Sequence, residues 1–288
     1  MNKDFDQPPA ILINASRRKK IRTALANQNA HHISNSHYAP DAVKAALELI
    51  YNEKCSYCES TVKQVAALQV EHYRAKNGIS DDPGHNGYYW LALEWSNLIL
   101  GCPACNGQGA KGNLFPVAGI RVFNQNPFDA AGKFLRNILL PNFAPLLGEQ
   151  PFLLHPELDN PKEHLKISAF AILEGMTERG TQTIDICKLN RDPLILERQR
   201  IINDFLVQCN IVFVGKVEFD LKDHVVDSLL KAQLKLLKAH RDNPKEPYTF
   251  FTEFMLDNPE TCIVVRIEPE FHADFRRAFE QFRLEELT

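Results

Sequence analysis

The alternation of apolar and polar positions divides the chain into stretches of different character. Residues 1–39 hold no sustained period and close on the polar run from His31 to Tyr38, which reads as loop. From Pro40 the pattern tightens. Pro40 and Asp41 supply a helix start signal. Val43, Ala46, Leu47, Ile50 and Tyr51 then recur at helical spacing, with Lys44, Glu48 and Asn52 on the other face. The partly β-branched stretch from Leu68 to Tyr73 predicts a strand ending in Glu71 and His72. The segment ISDDPGHNGYY after it is dense in turn formers and predicts a long loop. Trp90 to Leu100 is apolar with Glu94, Ser96 and Asn97 interspersed, and Gly107, Gly109 and Gly112 loosen the chain towards Phe115.

Beyond residue 120 the pattern becomes mixed loop and helix. Asp192 to Val212 and, more clearly, Asp223 to His240 repeat at helical spacing, and further helices are expected after them. Val226, Leu229, Leu230, Leu234 and Leu237 form one stripe, with Lys231, Lys235 and Lys238 interleaved. Packing on its own core explains such a stripe, and a partner-binding face is the sharper alternative. The expected architecture is α+β: a compact core (40–120), with helices packed around it from a polar and basic N-terminal segment (1–39) and from a mostly helical C-terminal region (121–288) with possible partner docking. A chain of 288 residues that is 44% hydrophobic can bury a sizeable core.

Charge narrows the choice of partners. A formal charge of −3 and a pI near 6.4 exclude a strongly basic coat protein, so nucleic-acid contact has to be local. The clearest basic cluster is Arg17, Arg18, Lys19, Lys20 and Arg22. It reads either as a solvated terminal segment or as a phosphate-contacting arm. Neither a secretory leader pattern nor an apolar run of about 18 residues is visible, so a cytoplasmic protein without membrane contact is expected.

The cysteines change the picture most. Their number, seven, is odd, and four fall into two close pairs, Cys55 with Cys58 and Cys102 with Cys105. Two such pairs supply the four thiolates of a tetrahedral, structural Zn2+ site. A redox dithiol, encouraged by Pro103 inside the second pair, is the competing reading. Cys187, Cys209 and Cys262 stand among apolar residues and read as inert core thiols.

The interval between the pairs holds Glu71, His72 and Asn97, and Asn106 follows the last cysteine directly. Hydrolysis of a phosphodiester needs a base for water, a divalent cation for the developing charge, and fixed placement of both. His72 is the candidate base, and Asn97 is the candidate for orienting its ring. Glu71 and Asn106 are the candidate ligands for catalytic Mg2+ or Mn2+. Because Glu71 and His72 are neighbours on a strand, their side chains alternate unless the strand end twists or bulges. Arg74 and Lys76, just beyond the base, are candidates for phosphate contact, with exposed strand-end charge as the plain alternative. Arg191 reads as a structural ion-pair partner or a substrate contact. His31, His32, His37, His85, His155, His164, His224, His240 and His272 lack ligand spacing and take no role.

Residues 55–116 resemble the HNH, or ββα-metal, endonucleases of the zinc-knuckle type, through CSYCES, VEHYRAKNG and YYWLALEWSNLILGCPACNGQGAKGNLFP. The resemblance implies a nucleic-acid phosphodiesterase with His72 as general base, Asn97 supporting it, and Glu71 with Asn106 on the metal. Members often carry a lysine three residues after the last asparagine, whereas Lys111 here lies five beyond Asn106; it is the candidate for that substrate-binding role. Through EQPFLLHPELDNPKEHL and GTQTIDICKLNRDPLILERQR, the likeness extends to the HNH proteins of Septu-type antiphage defence and of some retron operons. That likeness implies a nuclease working with an ATPase partner. A non-catalytic, zinc-stabilised module binding nucleic acid or protein is the alternative.

Overall fold

The structure, a computed structural model, describes residues 3–27, 33–62 and 66–287, so His31 and His32 lie outside the described residues. The chain forms two compact units: Met1–Leu165 with Gly175–Leu189, and Lys166–Glu174 with Asn190–Thr288.

In the first unit the Asp41–Ile50 helix starts at Pro40 as its spacing predicts, with Asp41 in its first turn. It buries Val43 and Leu47 and packs on both strands of a two-stranded sheet. Strand β1 (Gln69–His72) and strand β2 (Leu98–Gly101) run antiparallel, pairing Gln69 with Gly101 and His72 with Leu98. Every residue of β2 is buried. One turn of helix, Pro103–Asn106, follows it. The long loop is present, and the apolar stretch before β2 coils into short 3-10 turns at Tyr89–Leu91 and Trp95–Asn97. The resulting core is aromatic: Tyr51, Tyr73, Tyr88, Tyr89, Trp90 and Phe115 are all buried.

The polar N-terminal segment contributes a helix to the fold, as expected. Ala15–Ala26 is helical, with the Asn14 side chain accepting the Arg17 N–H at its start, and Ile21 and Ala24 are buried. A run with no clear amphipathic period folds because those two residues suffice to seat it on tertiary neighbours. Lys3 is buried too: its ammonium donates to Leu98 O and Glu157 and lies 4.3 Å from the Trp95 ring centroid. The boundary expected near residue 120 falls instead between 165 and 190. Segment 121–160 belongs to the first unit because it completes buried charge pairs there. Arg74 Nε donates to Glu149 at 2.9 Å, Tyr88 OH donates to Glu149 at 2.7 Å, and Arg136 reaches Glu94 at 2.8 Å.

The second unit is helical, with Asp192–Glu218, Asp223–Asp242, Thr249–Asp257 and His272–Glu286 as its main elements. Val226, Leu230, Leu234 and Leu237 are buried, while Leu229 remains exposed. Lys231 and Lys235 pair with Glu285, and Lys238 with Glu286. The leucine stripe therefore packs within its own unit, chiefly on His272–Glu286. Cys187, Cys209 and Cys262 are buried, as expected. No helix among the described residues is long and apolar enough to cross a membrane.

Two stability predictions follow from the buried charges and rings. Replacing Glu149 with Ala strands the Arg74 guanidinium in a low-dielectric core, so urea denaturation should show a loss of about 3–5 kcal/mol; adding Arg74→Met should recover part of it. His155 is buried between Ser96 O and the Glu157 N–H. Burial, helped by Lys3 and Arg74, pushes its imidazole down to about 3. The unfolded chain, with a value of about 6.5, binds this proton first. Stability is therefore full above that pH and falls as pH drops towards 3, by up to about 1.4 kcal/mol per pH unit. His155→Asn should flatten the slope measured by urea titration across pH 4–7.

Candidate metal and catalytic site

The site begins with the sulfurs. Glu59 N–H returns to Cys55 O at 2.9 Å and closes the first knuckle, and Ser56 N–H donates to Leu100 O at 2.8 Å, fastening it to β2. Cys102 N–H points at Cys55 Sγ, 3.3 Å away. Cys55, Cys58, Cys102 and Cys105 are buried, with all four Sγ atoms within 4.8 Å of one another. Cys58 and Cys102 Sγ are 3.8 Å apart. Tetrahedral zinc with Zn–S of about 2.3 Å separates its sulfurs by about 3.8 Å. The four thiols titrate as one set: hydrogen bonds among them hold Cys58 and Cys102 down and push Cys105 up, while burial pushes Cys55 up. The cluster could hold a metal ion, and its all-thiolate donor set fits zinc. A redox dithiol needs one pair alone, and here both pairs converge on one point.

The cluster sets the end of β2, and with it the oxygen-bearing side chains. Gly101 lies against Glu71 and Asn106: a Cβ there would meet Glu71 Cγ at 3.4 Å and Asn106 Cβ at 3.6 Å. Across this gap the Asn106 side chain hydrogen-bonds the Glu71 carboxylate. Asn106 Oδ1 is buried with no hydrogen-bond partner. Burial pushes the Glu71 carboxyl up, against the pull of Lys111, Asn106 and Lys76. A carboxylate beside an unsatisfied amide oxygen suits a hard divalent cation such as Mg2+ or Mn2+.

His72 ends β1. Its Nε2 lies 3.0 Å from Ala92 O, which fixes that nitrogen as the N–H donor and leaves Nδ1 in the acceptor form. The Tyr38 ring meets it edge-on at 4.4 Å between centroids. Burial drives the imidazole down to about 3, so the ring is neutral. The β1 register is regular through Glu71 and His72, so the two side chains alternate. Tyr38, Lys76 and Lys111 nevertheless border both, because they gather at the strand's end.

Three sequence assignments are corrected by this geometry. Asn97 does not orient the His72 ring. Its Oδ1 accepts the Arg74 N–H at 2.8 Å, and its Nδ2 donates to Arg74 O at 3.0 Å and Leu91 O at 3.2 Å. Both amide donations go to backbone carbonyls, one just after His72 and one at Leu91, and Ala92 O does the orienting. Arg74 is not available to phosphate: it is buried and held by Glu149 and Leu146 O. Lys111 is buried as well, its ammonium bound to His72 O at 2.8 Å and pushed down to about 8 by burial. Lys76 remains only partly buried, with its Nζ 5.4 Å from the Tyr38 ring centroid. Tyr38 and Ala92 were invisible in the sequence: one ends the short Asn35–Tyr38 helix, where the polar run read as loop, and the other acts through its carbonyl.

No family model matches the chain, and no solved structure does. Among curated proteins it is 32% identical over 173 residues to Septu protein PtuB of Bacillus mycoides (strain KBAB4), covering 58% of this chain and 53% of that protein. It is 25% identical over 169 residues to Septu protein PtuB of Bacillus thuringiensis, covering 58% and 49%. It is also 27% identical over 212 residues to Septu protein PtuA of Bacillus mycoides (strain KBAB4), covering 71% of this chain and 27% of that protein. The chain thus spans about half the length of these PtuB relatives and about a quarter of the PtuA relative.

Metal analysis of the purified protein should find one zinc per chain, lost in Cys102→Ser together with a cooperative drop in Tm. Asn97→Ala removes three buried hydrogen bonds and should destabilise the protein by about 2–3 kcal/mol, read by urea denaturation, with zinc still bound.

Proposed function

We propose that this protein is a metal-dependent HNH-type endonuclease that hydrolyses phosphodiester bonds of nucleic acid, the effector of an antiphage defence system working with an ATPase partner. One observation carries the reading: the buried, unpartnered Oδ1 of Asn106 stands beside the Glu71 carboxylate, one strand position from a neutral histidine anchored through Nε2. Glu71 and Asn106 would hold a Mg2+ or Mn2+ ion, whose charge supplies stabilisation of the phosphate and leaving oxygen. Nδ1 of His72 takes the proton from water. The burial that depresses this base is offset when an anionic phosphodiester comes beside it, since nearby negative charge favours the imidazolium. Lys76 lies close enough to Glu71 and His72 to contact the substrate. Lys111 holds the carbonyl of His72 and Asn97 the backbone of Arg74 just after it, and the four cysteines with zinc would hold β2. Similarity to Septu proteins supports the defence role, and the two Septu names among the relatives support a partner subunit.

A second reading, a zinc-stabilised module that binds nucleic acid or protein without catalysis, is favoured by one observation: Arg74 and Lys111 are committed to internal partners. Cleavage of plasmid DNA and of RNA with Mg2+ or Mn2+, with and without the partner, separates the two. His72→Ala should slow cutting by about 10²–10⁴-fold with zinc content intact, and Asn106→Ala should raise the metal concentration needed. An unchanged rate in His72→Ala would hand the case to the binding module.

A further inference from the structure

The basic cluster at residues 17–22 takes on a new meaning once its placement is known. It lies on the Ala15–Ala26 helix, which carries no acidic residue. Ile21 and Ala24 seat that helix on the protein, so the cations are turned outward, and Arg18, Lys19, Lys20 and Arg22 are exposed. Two of them are braced on aromatic faces. The Arg18 guanidinium lies 5.3 Å from the Phe134 ring centroid, and Arg22 lies 4.2 Å from that of Phe128 while donating to Gly132 O. Arg18 and Arg22 are one helical turn apart, about 6 Å along the axis.

What separates this face from an ordinary solvated one is its lack of counter-charge. Among the described residues, no carboxylate forms a salt bridge with Arg17, Arg18, Lys19, Lys20 or Arg22. In the helical unit, by contrast, Lys216, Lys231, Lys235, Lys238 and Arg277 all pair with acids. A protein of net charge −3 thus keeps one rigid face of uncompensated positive charge.

That face also leads to the candidate catalytic site. Arg17 donates to Ser36 O at 3.0 Å. Two residues on, Tyr38 meets the His72 ring at 4.4 Å and carries Lys76 over its own face. The helix and the candidate base are thus joined through the short segment 36–38.

We infer that the Ala15–Ala26 helix is the surface that holds the nucleic-acid backbone, with Arg18, Lys19, Lys20 and Arg22 contacting phosphates flanking the one presented to His72. The inference rests on the nuclease reading and adds to it the route of the substrate strand. Contact is to phosphates, so it is independent of base sequence and sensitive to salt.

The test uses the full chain in a His72→Ala background, with a fluorescent 30-base-pair DNA duplex and a single-stranded RNA of matching sequence as probes. Lys19→Glu/Lys20→Glu should weaken binding at least tenfold at moderate salt, and should make the slope of log affinity against log salt shallower by about 2. Zinc content and circular dichroism should stay as in the parent. A charge-matched control in the helical unit, Lys222→Glu/Lys245→Glu, should bind as the parent does. With His72 present, the helix variant should raise KM and spare kcat; the two probes report whether duplex or single strand is preferred. An unchanged affinity and salt slope would overturn the surface, and so would a control variant that loses as much binding. The parent readings fail separately: cutting with normal KM in the helix variant removes this surface and keeps the nuclease. Salt-dependent binding through the helix with no His72-dependent cutting keeps the surface and removes the nuclease.

Discussion

Convergence of four sulfurs is the constraint on which the site is built. Cys55 and Cys58 sit just past one helix, while Cys102 and Cys105 flank the turn that leaves β2, and only their meeting within 4.8 Å brings the two segments to one point. The consequences pass along short backbone links. Ser56 is bonded to Leu100, Gly101 lies against Glu71 and Asn106, and Lys111 N–H closes back onto Cys105 O. A metal ion at the sulfurs would act on Asn106 without touching it, by holding the single helical turn that presents its amide.

Around that clamp the protein spends its nearby cations on itself. Arg74 is matched to Glu149 and Lys111 to a carbonyl, because a buried charge without a partner is destabilising by several kcal/mol. Arg74 and Lys111 are thus internal fasteners, one tied to residues 146 and 149 and the other to the carbonyl of His72 itself. The cations left in contact with solvent stand elsewhere: Lys76, partly buried at the strand's end, and Arg18, Lys19, Lys20 and Arg22 on the outward face of the Ala15–Ala26 helix. A net negative charge and a locally positive face are compatible on this division, since the screening distance at physiological salt is about 8 Å.

Much of the scaffold was legible in the sequence. The Asp41–Ile50 helix, strand β1, the long loop and the two main C-terminal helices were all readable, because each rests on local signals: a start residue, a period of 3.6, β-branched runs or clustered turn formers. The pairing of the four cysteines into one cluster was readable from spacing, since two residues between thiols is a local geometric fact. Glu71, His72 and Asn106 were nominated by their order between and beside the cysteines.

The roles that depend on partners distant in sequence were decided only by the tertiary structure. Asn97 serves the Arg74 backbone and not the His72 ring, because Ala92 O already holds the imidazole. Arg74 and Lys111 are buried by segments that no local pattern connects to them, and the N-terminal run becomes an ordered helix because Ile21 and Ala24 find neighbours there. Sequence by itself determined which residue types stand ready and how short stretches coil. Which of them face each other, and which charges remain for a substrate, was set by burial, since the cost of desolvating a charge or leaving an amide unpaired exists only once distant segments have closed over it.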